Sequence, residues 1–213
     1  MYLGNNTLYM LRPKKIRCYH NRYMEFAIPL AKCNPENIKI EDIKTFSFRK
    51  ILPIEYTEGK TCFKNLIISL PPLKVREIHL EKNQVTLEES EETNKLQILE
   101  KIQEKLLTFL EINYTKWFHE IEIRDVKKII FQPWINSKRI TLFLPSNTTT
   151  FSYFTENGQS VFSSNSLKPG EIVRAFINIH GLCLQLLENN NWTGRSRIQH
   201  KTLHLYKIST PLS

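Results

Sequence analysis

The sequence predicts a mainly β protein, a small barrel or sandwich that carries one inserted helix. Short apolar runs rich in β-branched and aromatic residues recur along the 213 residues, separated by Gly, Pro and Asn turn signals. One stretch alone, near 94–113, has the apolar spacing of an amphipathic helix. Near the C-terminus, Val173, Ala175, Ile177 and Ile179 alternate with Arg174, Phe176, Asn178 and His180, the period of a half-buried strand.

Residues 1–40 are polar, basic and aromatic without a clear period, and read as an N-terminal extension that either joins the barrel or stands outside it. Lys14-Lys15-Ile16-Arg17 suits a phosphate backbone, a localisation signal or plain solvated surface. Pro29 and Pro35 exclude a long helix there. The domain proper then spans 41–213. Ile43 to Tyr56 reads as strand, with Phe46 and Phe48 interleaved by cations at Arg49 and Lys50. Glu58-Gly59-Lys60 is a turn, and Cys62 to Leu70 returns as a strand ended by Pro71-Pro72, so 43–70 is expected to be one long hairpin. Lys74 to Leu80 continues the sheet, with a short strand at Val85-Thr86-Leu87.

A helical insertion occupies 88–125. Glu88-Glu89-Ser90-Glu91-Glu92 is acidic, and Thr93 is the expected N-cap. Leu96, Leu99, Ile102, Leu106, Phe109 and Leu110 form one stripe, expected to pack on the sheet rather than to bind a partner. Asp125 to Ile135 fits helix or strand, ended by Pro133. Arg139 to Leu144 and Phe151 to Phe154 are strands, the second followed by an Asn157-Gly158 turn.

The C-terminal fifth reads as a three-stranded meander: Val173 to His180, a bulge or bend at Gly181, Leu182 to Leu187, then an Asn-rich turn and a final strand. In that last strand Arg195, Arg197, Gln199 and Lys201 share a face. Burial of Leu203 and Leu205 requires the face to flip near His200. The expected total is eight or nine short strands and one helix.

The net charge of +9 is unevenly spread. Residues 1–80 carry +7, residues 81–125 carry −5 and residues 126–213 carry +7. Two basic segments flanking an acidic one suit a polyanion-binding face with the acids turned elsewhere. The N-terminal residues lack the basic start and apolar core of a signal peptide, so an intracellular site is expected and the protein is not expected to be secreted. Cys18, Cys33, Cys62 and Cys183 are scattered and expected to be free thiols.

Catalytic signatures are lacking. The six glycines are isolated, so no phosphate-cradling loop exists. Glu120 with Glu122, His200 with His204, and Cys18-x-His20 with Cys33 are weak catalytic or zinc sets, and no catalytic residue, metal or cofactor is expected. A basic sheet with rings among its cations remains, the combination that single-strand binders use for stacking and phosphate tracking. The candidate nucleic-acid contacts are Trp134, Lys138, Arg139, Arg174, Phe176, His180, Trp192, Arg195, Arg197 and Lys201. Trp134 and Trp192 serve equally well as core residues.

The order of elements resembles the single-stranded DNA-binding proteins of nucleocytoplasmic large DNA viruses. The likeness lies in Ile51 to Leu73, the helix near 94–113, and the C-terminal third. There it rests on Phe154-x-x-Asn157-Gly158, Leu167-Lys168-x-Gly170, Gly181-Leu182 and Gly194-x-Ser196. It covers about two thirds of the chain by pattern rather than identity. Two positions depart from the family: Cys183 stands where an aromatic, usually Trp, is common, and Arg197-Ile198 follows Gly194-x-Ser196 in place of an aromatic. The resemblance implies an OB-like β-barrel that binds single-stranded DNA, or RNA, without chemistry, in viral replication or repair at the host cytoplasm or nucleus. Replication proteins are the expected protein partners. The rival expectation is a virion or replisome adaptor whose basic charge is incidental.

Overall fold

A computed structural model describes residues 27–117, 131–132, 134–144, 151–155, 158–162, 167–186 and 192–208. In chain order the strands are β1 (Ala27–Pro29), β2 (Ile38–Ile40), β3 (Lys44–Phe46), β4 (Arg49–Glu58), β5 (Thr61–Phe63), β6 (Leu66–Ser69), β7 (Leu73–His79) and β8 (Gln84–Glu88). Helix α1 (Gln97–Asn113) follows. Then come β9 (Phe131–Gln132), β10 (Ile135–Asn136), β11 (Arg139–Phe143), β12 (Phe151–Thr155), β13 (Gly158–Phe162), β14 (Ile172–Leu186) and β15 (Trp192–Lys207). The chain is mainly β with one α-helix among the described residues, as its patterning predicts. Thirteen strands join one mixed sheet, and β12 with β13 forms a separate hairpin.

β14 is the spine. It pairs with β15 along its length, with β7 and β6 in its first half, and with β4 in its second. The expected three-strand meander is therefore two long strands, because the chain continues through Gly181 without turning back. Two bulges make this possible. His180 is an extra residue in β14, between the Ile179–His200 and Gly181–Gln199 pairs. It switches the inward parity from Val173, Ala175, Ile177 and Ile179 to Leu182, Leu184 and Leu186, all buried. Leu203 is the matching extra residue in β15, so Thr202 and Leu205 both point inward. The anticipated face flip thus lies just past His200.

Gly181 is fixed by geometry. Its φ is +132°, and a Cβ built there would lie 1.9 Å from the carbonyl oxygen of Leu52. Only glycine lets β4 approach β14 this closely.

The long 43–70 hairpin is divided. β4 pairs with β3, β2 and β5, with the expected turn at Gly59 (φ +59°), while β6 leaves to pair with β14 and, in parallel, with β1. Pairing of β1 and β2 joins Ala27–Pro29 and Ile38–Ile40 to the main sheet.

The sheet curls but does not close by backbone ladders into the expected barrel. β7, β8 and β11 pair in sequence, which brings β11 against β15. There the Phe143 N–H donates to His200 Nε2 at 3.3 Å, and the Thr202 hydroxyl donates to the Phe143 carbonyl at 2.8 Å. Side chains take the bonds that strand pairing would use.

Helix α1 packs Leu99, Ile102, Leu106 and Leu110 into the core, so the stripe is structural. Thr93 is not its N-cap: Leu96 holds that position without a side-chain cap, and the Thr93 hydroxyl donates to the Ser90 carbonyl. Glu89 does the work instead, accepting from the Lys95 and Leu96 N–H groups. Burial opposes its charge, but bonds from Thr93, Lys95 and Leu96 and the field of Lys138 prevail and lower its pKa. No helix among the described residues is long and apolar enough to cross a membrane.

Candidate nucleic-acid interface

The sheet face opposite the core is built from cross-strand rows. Lys44, Ile51, Cys183 and Arg197 form one row across β3, β4, β14 and β15. Phe46, Arg49 and Gln185 form the next. On the other side lie Pro53, Gly181 and Gln199, followed by Ala27, Ile67, Asn178 and Lys201. Residues directly opposite in a ladder share a face, so pairing gathers Lys44, Arg49, Arg197 and Lys201 on one surface, and Arg195 follows Arg197 by strand alternation. Arg195, Arg197 and Lys201 are exposed, while Ser196, Ile198, His200 and Thr202 between and after them are buried. The alternation read for this strand is the one observed.

Aromatic rings sit among these cations. Phe46 and Phe48, at and beside the β3–β4 turn, are 46% and 68% exposed. The Arg49 guanidinium lies over the Phe46 ring, 5.5 Å from its centroid, and that of Arg197 lies 5.6 Å from the centroid of Phe143. Phe46, Phe48 and Arg49 were visible as an interleaved pattern. Their place on the β15 face was not, because it depends on β4 pairing with β14 some 130 residues later.

The other candidates are dispersed. Trp134 is buried, its ring stacked on His200 at a centroid distance of 5.2 Å, so it is a core residue and not a stacking platform. Phe176 is buried against Ala27 and Ile67, edge-on to Tyr206 at 5.2 Å, which removes it as an open ring. On the face where it was expected to be open, the side chains of Ala27, Ile67, Leu203 and Tyr206 pack around it. Lys138 and Arg139 leave the interface too. The Lys138 ammonium donates to the Glu91 carbonyl, and Arg139 Nε lies 3.8 Å from Glu88, which Arg76 also holds at 2.7 Å. Arg139 belongs to the Ile172, Lys74 and Glu88 row, on the same face but several strands from Lys44 and Arg197, and there it and Lys138 offset Glu88 and Glu89. Arg174 is exposed beyond Phe176, on the same face as Lys201 but past the covered patch. Trp192 pairs by its backbone with Leu186. Its side chain, the Lys14–Arg17 patch, Glu120, Glu122, the 156–157 turn and the Asn-rich turn lie outside the described residues.

His180 is half-buried on the basic face. Burial, and then the charge of Lys201, lowers its pKa and favours neutral imidazole. His200 is forced neutral inside the core, where burial pushes its pKa down to about 4. The Leu203 bulge also places His204 opposite Phe176 on the outer face, so His200 and His204 do not face one site. Among the described residues no group of three His, Cys, Asp or Glu side chains is arranged to hold a metal ion. Cys33, Cys62 and Cys183 are free thiols. Burial raises the Cys183 pKa, which keeps the thiol protonated beneath Arg197.

A cavity of about 350 Å³ opens on this face, lined by Phe46, Ile51, Pro53, Ile54, Lys44, Lys64, Asn65, Glu41, Glu55, His180 and Gln199. Comparison with protein-family models, with curated proteins and with solved structures finds no match to this chain.

Proposed function

We propose that this protein binds single-stranded DNA without chemistry, on the outer face of β3, β4, β14 and β15. The observation that carries this reading is the row-by-row assembly of Lys44, Arg49, Arg197 and Lys201, with Arg195 exposed two residues before Arg197 and Phe46 and Phe48 exposed beside them. Cations track phosphates, and each ring offers a stacking surface of about 1–3 kcal/mol per base. Duplex DNA hides its bases from such rings, so the face favours the single strand. The resemblance described above extends the proposal to a role in viral DNA replication or repair.

Five cations on the face predict a steep salt response. If each neutralises one phosphate, the slope of log affinity against log salt is about −3.5 for a single strand. The test is fluorescence anisotropy of a labelled oligo(dT) of about 30 nucleotides and of its duplex, titrated at two salt concentrations. Tight, salt-sensitive preference for the single strand is expected, and Arg197→Ala should flatten the slope by about 0.7. No binding at low salt, or equal weak binding to both forms, overturns the proposal in favour of a protein-interaction role.

A further inference from the structure

The cavity beside Phe46 is more than a dent in the basic face. Ile51 and Pro53 line it, and Phe46 supplies a ring. Its polar lining is rich in acceptors. Glu41 and Glu55 both reach it. Both are engaged locally: Glu41 Oε2 with Lys44 at 3.3 Å, Glu55 Oε2 with the Cys62 thiol at 3.3 Å, and the two carboxyl groups with one another. Gln199 adds an amide whose Oε1 is buried with no hydrogen-bond partner. An unsatisfied buried acceptor is costly, and a donor that reaches it from the cavity relieves that cost. Lys44 and Lys64 balance the two carboxylates. A phosphate inside would be repelled by both carboxylates, whereas a neutral base would not.

We infer that this cavity is a base-reading pocket that prefers guanine within a bound single strand, an inference that rests on the single-strand reading. A carboxylate is matched by two adjacent donors. Among the standard bases only guanine presents two on its pairing edge, the ring N1–H and the 2-amino group. Adenine and cytosine place one donor beside an acceptor, and thymine holds one donor between two acceptors. Ile51, which lines the cavity, belongs to the same cross-strand row as Lys44 and Arg197. A strand tracked by those cations therefore passes the pocket mouth and can turn one base into it.

The experiment compares d(TG)8, d(TI)8 and d(T)16 by anisotropy, in lithium salt so that guanine quartets do not form. Deoxyinosine lacks only the 2-amino group, and the alternating repeat offers a purine in every register. Wild-type protein is expected to bind d(TG)8 about tenfold more tightly than d(TI)8, within the range for a bidentate base contact. Glu55→Gln and Gln199→Met are each expected to bring that ratio toward one. Glu55 lies at the surface, so its variant isolates recognition even if the Gln199 variant folds poorly. Equal affinity for all three oligomers overturns the pocket while leaving single-strand binding intact. A guanine preference that both variants retain places the reader elsewhere and also overturns it. No binding to any oligomer at low salt sinks this inference together with the function on which it rests.

Discussion

Replacing Gly181 with Ala tests how the sheet is held together. The residue has φ +132°, where an L side chain is strained by roughly 1–3 kcal/mol. The new methyl would also stand 1.9 Å from the Leu52 oxygen and 2.8 Å from the Leu52 carbonyl carbon. These are backbone atoms, so no rotamer change relieves the overlap. β4 must retreat from β14, loosening the ladder from Gly181–Pro53 to Gln185–Arg49. Strain and the weakened ladder together amount to a loss of about 4 kcal/mol, at the exceptional end for one substitution. In a domain of this size that lowers Tm by roughly 8–16 °C. Urea unfolding followed by tryptophan fluorescence gives the free energy directly. A change below about 1 kcal/mol would refute the reasoning, since it would mean that β4 is not pressed against β14 at this point. Retreat of β4 also carries Lys44, Phe46 and Arg49 away from β15, so single-strand affinity should fall with stability.

Other expectations follow from the same contacts. His200 is neutral in the core and titrates near its ordinary value of 6.5 when unfolded, so its contribution is complete above pH 6.5. It is lost as the pH falls from there to about 4, an effect of up to ~3 kcal/mol, and urea titrations across that window should show it shrink in His200→Phe. Glu89→Ala frees the Lys95 and Leu96 N–H groups at the start of α1 and should cost about 1–2 kcal/mol by urea titration. Leu106→Ala hollows the helix–sheet core and should cost about 2–5 kcal/mol. Phe46→Ala with Phe48→Ala should leave Tm within about 2 °C, because both rings are exposed, yet reduce single-strand affinity by tenfold or more, on the order of 1–3 kcal/mol per stacked base.

The sequence by itself determined the local periods. The helical stripe from Leu96 to Leu110, the inward set Val173 to Ile179, the outward set Arg195 to Lys201 and the turn at Gly59 all follow from spacing within about twenty residues. Each is a local consequence of which side chains can be buried. Tertiary structure decided what lies beside what. Phe176 has the alternation of an open residue, yet Ala27, Ile67, Leu203 and Tyr206 pack around it; Trp134 reads equally well as a stacking ring or a core residue, and its stack on His200 decides for the core. Lys138 and Arg139 read as phosphate contacts, but β8 delivers Glu88 and its neighbours to them. Phe46 and Phe48 join the basic face only through the β4–β14 ladder. Alternation reports burial on one strand, whereas ladder partners are set by long-range pairing, bulges and the close approach at Gly181, and no local window contains those.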